Sequence, residues 1–476
     1  MKTECNTDRL DFQPAGRREV RAQFDGGTIT SDAGVLLLRE VEARSGILQR
    51  FAECFTDYRD PELIEHTVEQ LITQRVYGLA LGYEDLNDHD ELRLDPLLAA
   101  MVGKHDPTGQ DRRRQQDRGK ALAGKSTLNR LELTPPGADT NSRYKKISAS
   151  MEKIQQLFVD LFIDGFDEPP EEIVLDFDAT DDPLHGHQLG RFFHGYYKEY
   201  CYLPLYVFCG ESLLASYLRP ADIDGAAGTV SVLARLVEAI RARWPNVRIV
   251  LRGDGGFCRE AIMAWCEANG VDYILGLAKN KRLGRLIEEE LAEAQRCYEE
   301  TGEAARVFSE FGYRTLDSWS RLRRVVAKAE HLAKGANPRF VVTSLSCQQR
   351  EAQALYEEDY CARGEMENRI KEQQLYLFAD RTSCQSMRAN QLRLYFSSIA
   401  YTLMQTLRRL GLKGTSMAKA RCDTIRLKLL KLGAQVRVSV RKVWVSFSQA
   451  YPYQQLFHKV LSNLRRATPV PTPLRC

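Results

Sequence analysis

One stretch, Ile173-Val-Leu-Asp176-Phe-Asp178-Ala-Thr180, constrains this chain more than any other. Its apolar residues read as a β-strand. Side chains alternate along a strand, so Asp176 and Asp178 stand on one face, two residues apart. Carboxylates inside an apolar strand are costly unless paired or metal-bound, so the fold must supply partners for both. Short β-favouring runs follow at 202–209 and 213–218, separated by turns. Then come a helix over 228–244, a strand over 247–251, a helix over 257–269 and a strand over 271–277. Sequential strands that give way to alternating helix and strand predict an α/β sheet of mixed direction.

The flanks differ in texture. Residues 16 to about 105 read as helical, with Ser31 or Asp32 capping a helix over 34–41 and Pro61 sitting early in a helix over 62–81. Residues 104–125 are polar and charged, and predict an exposed loop or arm that orders on a partner. Residues 279 to about 338 are charged and less regular, with a helix near 285–299 and β-like pieces such as 323–328; 339–344 is a last strand, and 356–378 is a long helix without proline. A length of 476 residues fits several domains. The longest mostly apolar stretch, 394–407, is too short to span a bilayer, which takes about 20 residues. The first residues carry no apolar signal core, and the twelve cysteines contain no C-x-x-C pair. The expected setting is therefore the cytosol, with reduced thiols. Residues 401–476 hold 15 Lys and Arg against one acid, Asp423, whereas the first 400 hold 52 basic and 63 acidic residues. Such asymmetry points to a polyanionic partner, and for a cytosolic chain that is nucleic acid.

Residues 119–126, Gly119-Lys-Ala-Leu-Ala-Gly124-Lys125-Ser126, satisfy the phosphate-loop pattern G-x-x-x-x-G-K-[ST]. That loop works when a buried strand feeds it, and the charged run Asp111-Arg-Arg-Arg-Gln-Gln-Asp-Arg118 is no core strand. A nucleotide site is not expected. Arg112, Arg113, Arg114, Arg118, Lys120 and Lys125 instead suit sequence-independent contact with a nucleic-acid backbone. His185, His187 and His194 lack further ligands at zinc spacing.

A second acid, Asp254, ends the strand Val247-Arg-Ile-Val-Leu-Arg-Gly-Asp254, and the glycines after it leave the approach open. On the long helix Arg363, Glu367, Lys371 and Gln374 share a face. Two Asp from neighbouring strands and one helix Glu form an all-oxygen set suited to Mg²⁺ and to in-line attack at phosphorus. Surface acids and helix ion pairs are the competing reading.

Three ordered motifs resemble the DDE transposases of bacterial insertion sequences, group 1. Asp178-Ala-Thr180 resembles the family's first acid, followed by Gly186-His-Gln188 and Tyr202-Leu-Pro-Leu205; Arg252-Gly-Asp254-Gly-Gly-Phe257 resembles its second. Tyr360, Arg363 and Glu367 resemble its Tyr-x₂-Arg-x₃-Glu-x₆-Lys signature, with Gln374 where the final Lys would stand and Lys371 one turn earlier. Phe24-Asp-Gly-Gly27, 126–132 and 390–394 add to the likeness, which covers about residues 16–410. Intervals of 75 residues between the two Asp and 112 between Asp254 and Glu367 fit it.

The resemblance implies a ribonuclease-H-like catalytic domain over 166–412 with a β-containing insertion at about 281–338. A mostly helical DNA-binding domain (1–165, with its basic loop 104–125) precedes it, and a basic DNA-binding or assembly region (413–476) follows. It implies Asp178, Asp254 and Glu367 as catalytic metal ligands for two Mg²⁺ ions, with Mn²⁺ able to substitute. Tyr360, Arg363 and Lys371 would lie against DNA. The partners are double-stranded DNA, as element ends and target, and further copies of the chain, a homodimer or higher oligomer, in the synaptic complex. No membrane and no nucleotide is expected, and the location is the bacterial cytosol near the nucleoid. Related enzymes hold a flipped base on an aromatic ring. Trp319 is the candidate here, with a plain hydrophobic anchor as the competing role. A non-transposing nuclease and a DNA-binding regulator with structural acids remain the alternatives.

Overall fold

A computed structural model describes residues 9–468; residues 1–8 and the last eight of the basic C-terminal region, 469–476, lie outside it. The chain forms two compact units, one running to Ser148 and resuming at Thr406, the other spanning Ala149–Gln405.

The second unit is built on a nine-stranded mixed sheet. Its strands are β1 (Glu172–Ala179), β5 (Leu205–Cys209), β6 (Ser212–Tyr217), β7 (Arg248–Gly253), β8 (Asp272–Leu277), β9 (Ala305–Tyr313), β10 (Arg323–Leu332) and β11 (Arg339–Thr343), with Gly335–Ala336 paired to β10. They run in the order β6-β5-β1-β7-β8-β11-β10-β9. The β1–β7 and β7–β8 pairs are parallel and the others antiparallel. A small sheet sits beside them: β2 (Asp182–Pro183), β3 (Phe192–His194) and β4 (Glu199–Tyr202), in the order β2-β4-β3.

Alternation along β1 decides which side of the sheet is which. Ile173, Leu175 and Phe177 pack in one core with Val159, Phe162 and Ile163 of α1 (Met151–Ile163), Leu233, Leu236 and Ile240 of α2 (Thr229–Arg243) and Ile262, Met263 and Cys266 of α3 (Glu260–Ala268). On the other face Val250, Ile274, Val326 and Val341 meet Leu355 and Tyr356, which open a helical run from Ala352 to Tyr376. Asp176 and Asp178 point to this second face. The helix expected over 356–378 is therefore present, but two π-helical segments, Leu355–Tyr360 and Glu372–Tyr376, flank the regular turns of α5 (Gly364–Lys371). The charged segment after β8 does not stand apart. Its helix α4 (Glu288–Thr301) packs on β9 and β10, and those strands extend the main sheet through the β10–β11 pair.

The first unit corrects several local expectations. Arg9–Ala15 and Arg18–Gln23 form an exposed hairpin instead of helix. The expected helix from 62 begins at Val68, because Thr67 and Gln70 form a reciprocal capping box; Pro61–Leu63 is a separate turn capped by Asp60. Neither Ser31 nor Asp32 caps Val35–Ser45, since Asp32 accepts a hydrogen bond from the Tyr83 hydroxyl at 2.6 Å. Among the basic C-terminal residues, Ala434–Val438 and Val443–Phe447 are a strand pair that joins Ile29–Thr30, and Gln454–Arg466 is a helix.

Residues 104–125 are ordered by the protein itself, which corrects the partner-dependent arm. Asp106 accepts from the backbone N–H groups of Thr108, Gln110 and Asp111, and the Arg112 guanidinium reaches Glu65 at 3.0 Å, the His66 ring at 2.8 Å and the Lys120 carbonyl at 3.0 Å. Burial, with Lys104 and Arg112 beside it, lowers the His66 pKa to about 3, so the ring is neutral and accepts. Among the described residues the element that leads into Gly119 is the short turn Gln115–Asp117 and not a strand, so the phosphate-loop pattern lacks its strand.

Arg252 lies opposite Asp176 in the β1–β7 register and grips it with two hydrogen bonds, at 2.5 and 2.8 Å. Both side chains are nearly buried. Removing one partner strands the other in a medium of low polarity, so Arg252→Ala should lower stability by about 3–5 kcal/mol. Chemical denaturation that finds a loss below about 1 kcal/mol would show the pair to be dispensable.

Candidate active site

Two residues beyond the gripping pair, on each strand, stand the acids of the cleft. Asp178 lies near the end of β1, opposite Tyr206 of β5. Asp254 follows β7 directly, and its carboxylate caps the turn Gly255–Phe257 by accepting from the Gly256 N–H at 2.8 Å. That turn passes close to Gly276 of β8. A side-chain Cβ at 276 would come within 2.5 Å of the Tyr360 hydroxyl and 2.8 Å of the Gly255 nitrogen, so glycine there lets both approach the sheet.

Glu367 completes the set. On α5 the apolar residues Met366 and Ile370 turn inward, which carries Glu367 and Lys371 over the strand ends, while Glu365 is exposed outside the cleft. Asp178, Asp254, Glu367, Arg363, Lys371 and Gln374 line one open cleft of about 560 Å³. Arg363 bridges it, with one guanidinium nitrogen 2.9 Å from Glu367 and another 4.0 Å from Asp178. Gln374, in the place of the signature Lys, donates to the Asp181 carbonyl at 3.0 Å and so pins the turn after β1. Sequence reading named Gln374 without finding this role, because its partner lies 193 positions away.

The two acids of β1 have different surroundings. Arg252 satisfies both oxygens of Asp176. Asp178 has only the Ala179 N–H at 3.0 Å and the distant edge of Arg363. Burial pushes its pKa up to about 7; Arg363 opposes the rise, and Asp254 and Glu367 add to it. The cleft thus holds more negative charge than its own cations neutralise. The donors are hard oxygens suited to a divalent cation. Among the described residues no three acids, histidines or cysteines are grouped as a ready-made metal site, and Arg363 accounts for part of that by bridging two of the three.

The remaining expected site residues lie elsewhere. Tyr360 is half-buried beside Gly276. Trp319 is 6% exposed, packed edge-on to Tyr313 at 5.7 Å with Arg323 over its ring at 5.5 Å. It belongs to the core on the sheet face away from the acids, so it is the hydrophobic anchor and has no open face for a base. The basic-loop residues belong to the other unit: Arg112 is held internally, Arg113 donates to the Glu62 carbonyl, Lys120 to the Gln116 carbonyl at 3.0 Å, and Lys125 pairs with Asp90 at 3.4 Å, while Arg114 and Arg118 are exposed.

A carboxyl with a raised pKa binds its proton more tightly folded than unfolded. Stability contributed by Asp178 therefore falls as pH rises from about 4 to about 7. Asp178→Asn removes that charge and should raise the melting temperature at pH 8, by the equivalent of 1 kcal/mol or a few. The gain should vanish near pH 4. A variant less stable than the parent at pH 8 would show that the carboxylate is well compensated in the fold.

A search of curated proteins finds no match to the chain. A family profile described as transposase DDE domain group 1 matches residues 12–469, nearly the whole length. The chain belongs to the group 1 family of DDE transposase domains.

Proposed function

We propose that this transposase binds the terminal inverted repeats of an insertion sequence, hydrolyses the phosphodiester bonds at its ends and joins the freed 3′-hydroxyls to target DNA. The observation that carries the reading is the convergence of Asp178, Asp254 and Glu367 on one cleft from two adjacent strands and a helix. The run of antiparallel β6-β5-β1 into parallel β1-β7-β8 supports a ribonuclease-H-like catalytic domain. In this reading that domain spans about 166–412, and 1–165 and 413–476 engage DNA. Double-stranded DNA and further copies of the chain are the partners in this reading, and the bacterial cytosol, near the nucleoid, is its setting.

Asp178, Asp254 and Glu367 would hold two Mg²⁺ ions, with Mn²⁺ as substitute. When bound, such ions polarise phosphoryl oxygens and ease deprotonation of the attacking water or hydroxyl. The chain's residues do the rest. Arg363 lies where it can turn from the acids to a phosphate, Lys371 supplies a second cation at the cleft, and Gln374 holds the turn beside Asp178. Among the described residues no helix is long and apolar enough to cross a membrane.

Incubating purified protein with Mg²⁺ and DNA carrying the flanking element ends should yield excision and strand transfer. Asp178→Asn, Asp254→Asn and Glu367→Gln should each reduce both steps by a factor of about 10³ or more, while end binding persists. Glu365→Gln should be nearly neutral. Cleavage without joining would make the protein a nuclease, and full activity in all three acid variants would make the acids structural. A dead Glu365→Gln beside an active Glu367→Gln would reassign the helix ligand.

A further inference from the structure

The antiparallel ribbon of the first unit, Ala434–Val438 with Val443–Phe447, has two unlike faces. Ala434, Val436 and Val438 lie opposite Phe447, Val445 and Val443, and Ala434 and Val436 among them are buried. The alternate residues turn outward: Gln435 opposite Ser446 and Arg437 opposite Trp444, all four exposed. Beyond Val438 the ribbon closes in a turn. The Ser439 N–H and hydroxyl both donate to the Lys442 carbonyl, at 2.8 and 2.9 Å, and this leaves Val440, Arg441 and Lys442 exposed at the tip.

The base of the ribbon is anchored. The Val436 N–H donates to the Thr28 carbonyl at 2.8 Å, and the Gln435 side-chain amide donates to the Gly26 carbonyl at 3.2 Å. Asp25–Thr28 and the outer face line a groove of about 500 Å³. The Lys442 ammonium and the Arg437 guanidinium lie 5.2 and 5.8 Å from the centre of the Trp444 ring. The ribbon contains no acid, and none occurs from Thr424 to Cys476. The other exposed ribbon, Arg9–Ala15 with Arg18–Gln23, differs in this respect. There Arg9 and Arg21 lie 3.2 and 3.5 Å from Asp11, so its cations are met by an acid of its own.

We propose that the outer face of the ribbon 434–447 enters the major groove of the element ends and reads their sequence, with Arg437 as the base-reading side chain and Arg441 and Lys442 on the flanking phosphates. The inference rests on the end-binding reading above, and names the residues that would supply its sequence recognition. A two-stranded ribbon fits the major groove, which is about 12 Å wide. The Arg437 fork matches O6 and N7 of guanine, the Trp444 ring beside it suits a thymine methyl, and Gln435 and Ser446 add hydrogen-bonding groups on the same face. Asp25, the acid of the groove, repels phosphates and accepts from cytosine amino groups, so the groove suits base edges and the cationic tip suits the backbone. A protein partner fits less well, because one ring among cations and amides makes a poor interface core.

The test uses the full-length protein without divalent ions, so that nothing is cleaved. The probes are a duplex carrying the element's terminal repeat and a scrambled duplex of the same length and composition, each titrated over a range of salt. Arg437→Ala should weaken binding to the repeat about tenfold, the value of one bidentate base contact, and leave the scrambled duplex within about twofold. Arg437→Lys keeps the charge but loses the fork, so it should fail in the same way. Arg441→Ala and Lys442→Ala should weaken both duplexes alike and lower the salt slope by about one each. Placing 7-deazaguanine at each guanine of the repeat in turn removes the N7 acceptor. At one position the parent should lose affinity and Arg437→Ala should lose none. Because Arg437 is exposed, its variants should melt with the parent, which separates lost reading from unfolding.

An Arg437→Ala protein that keeps the parent's preference for the repeat would overturn the proposal. One that weakens both duplexes equally would do so too, since the ribbon would then be a grip blind to sequence. So would a Trp444→Ala protein that loses an oligomer in sedimentation while the preference persists, because the face would then join copies of the chain. The two readings fail separately. Parent protein that prefers the repeat through Arg437 yet neither cuts nor joins refutes the transposition chemistry alone. Parent protein that excises the element while Arg437→Ala keeps the preference refutes the ribbon alone, and parent protein without any preference refutes end recognition itself.

Discussion

The buried Asp176–Arg252 pair sets the geometry on which the cleft depends. It joins adjacent parallel strands at directly opposed positions, and the two acids of the cleft stand two residues beyond it on each strand. Side chains alternate every residue, so a slip of one would turn Asp178 away from Asp254 and into the apolar core beneath. A buried ion pair contributes little net stability, because desolvation offsets its attraction. What it contributes here is register: Arg252 fits Asp176 through two parallel hydrogen bonds and also reaches the Asp359 carbonyl, which ties the helical run to the same point of the sheet.

Helix α5 has to meet that frame with equal accuracy. Met366 and Ile370 fix its rotation by burial, and π-helical segments lie before and after it. Beyond it, Glu372 is buried, and Arg369 bonds both Glu211 and Glu372. Glu367 is thus held by packing on one side and left open on the other.

Much of what depended on local periodicity from 172 to 277 was legible in the sequence, whereas the hairpin at 9–23 was not. Alternation along 173–180 put Asp176 and Asp178 on one face, and it was the resemblance to the Tyr-x₂-Arg-x₃-Glu signature that pointed to Glu367. The order of strands and helices from 172 to 277 followed from the same patterns. What was not legible depends on contacts distant in sequence. Arg112 looked like part of a free arm because Glu65, 47 residues earlier, gives no local sign of holding it. The segment at about 281–338 read as an insertion because the pairing of its strand β10 with β11 cannot be read from charge. Trp319 kept two competing roles because a local run does not say which face of a turn the fold will cover.

Asp176 and Asp178 show how one strand can hold the same residue in two physical roles. They share a chain segment and a sheet face, Asp176 buried and Asp178 half-buried nearer the strand's end, and both feel desolvation first. The difference is the neighbour. Across from Asp176 lies a guanidinium at hydrogen-bond distance, which turns the acid into a structural clamp. Across from Asp178 lies Tyr206, which offers no charge, and the nearest cation is 4.0 Å away on a helix. Two further carboxylates raise the cost of its ionisation. That cost is the condition for binding positive charge: an acid already neutralised by arginine gains little from a cation, whereas one whose arginine stands off at 4.0 Å and which lies beside two other acids gains much.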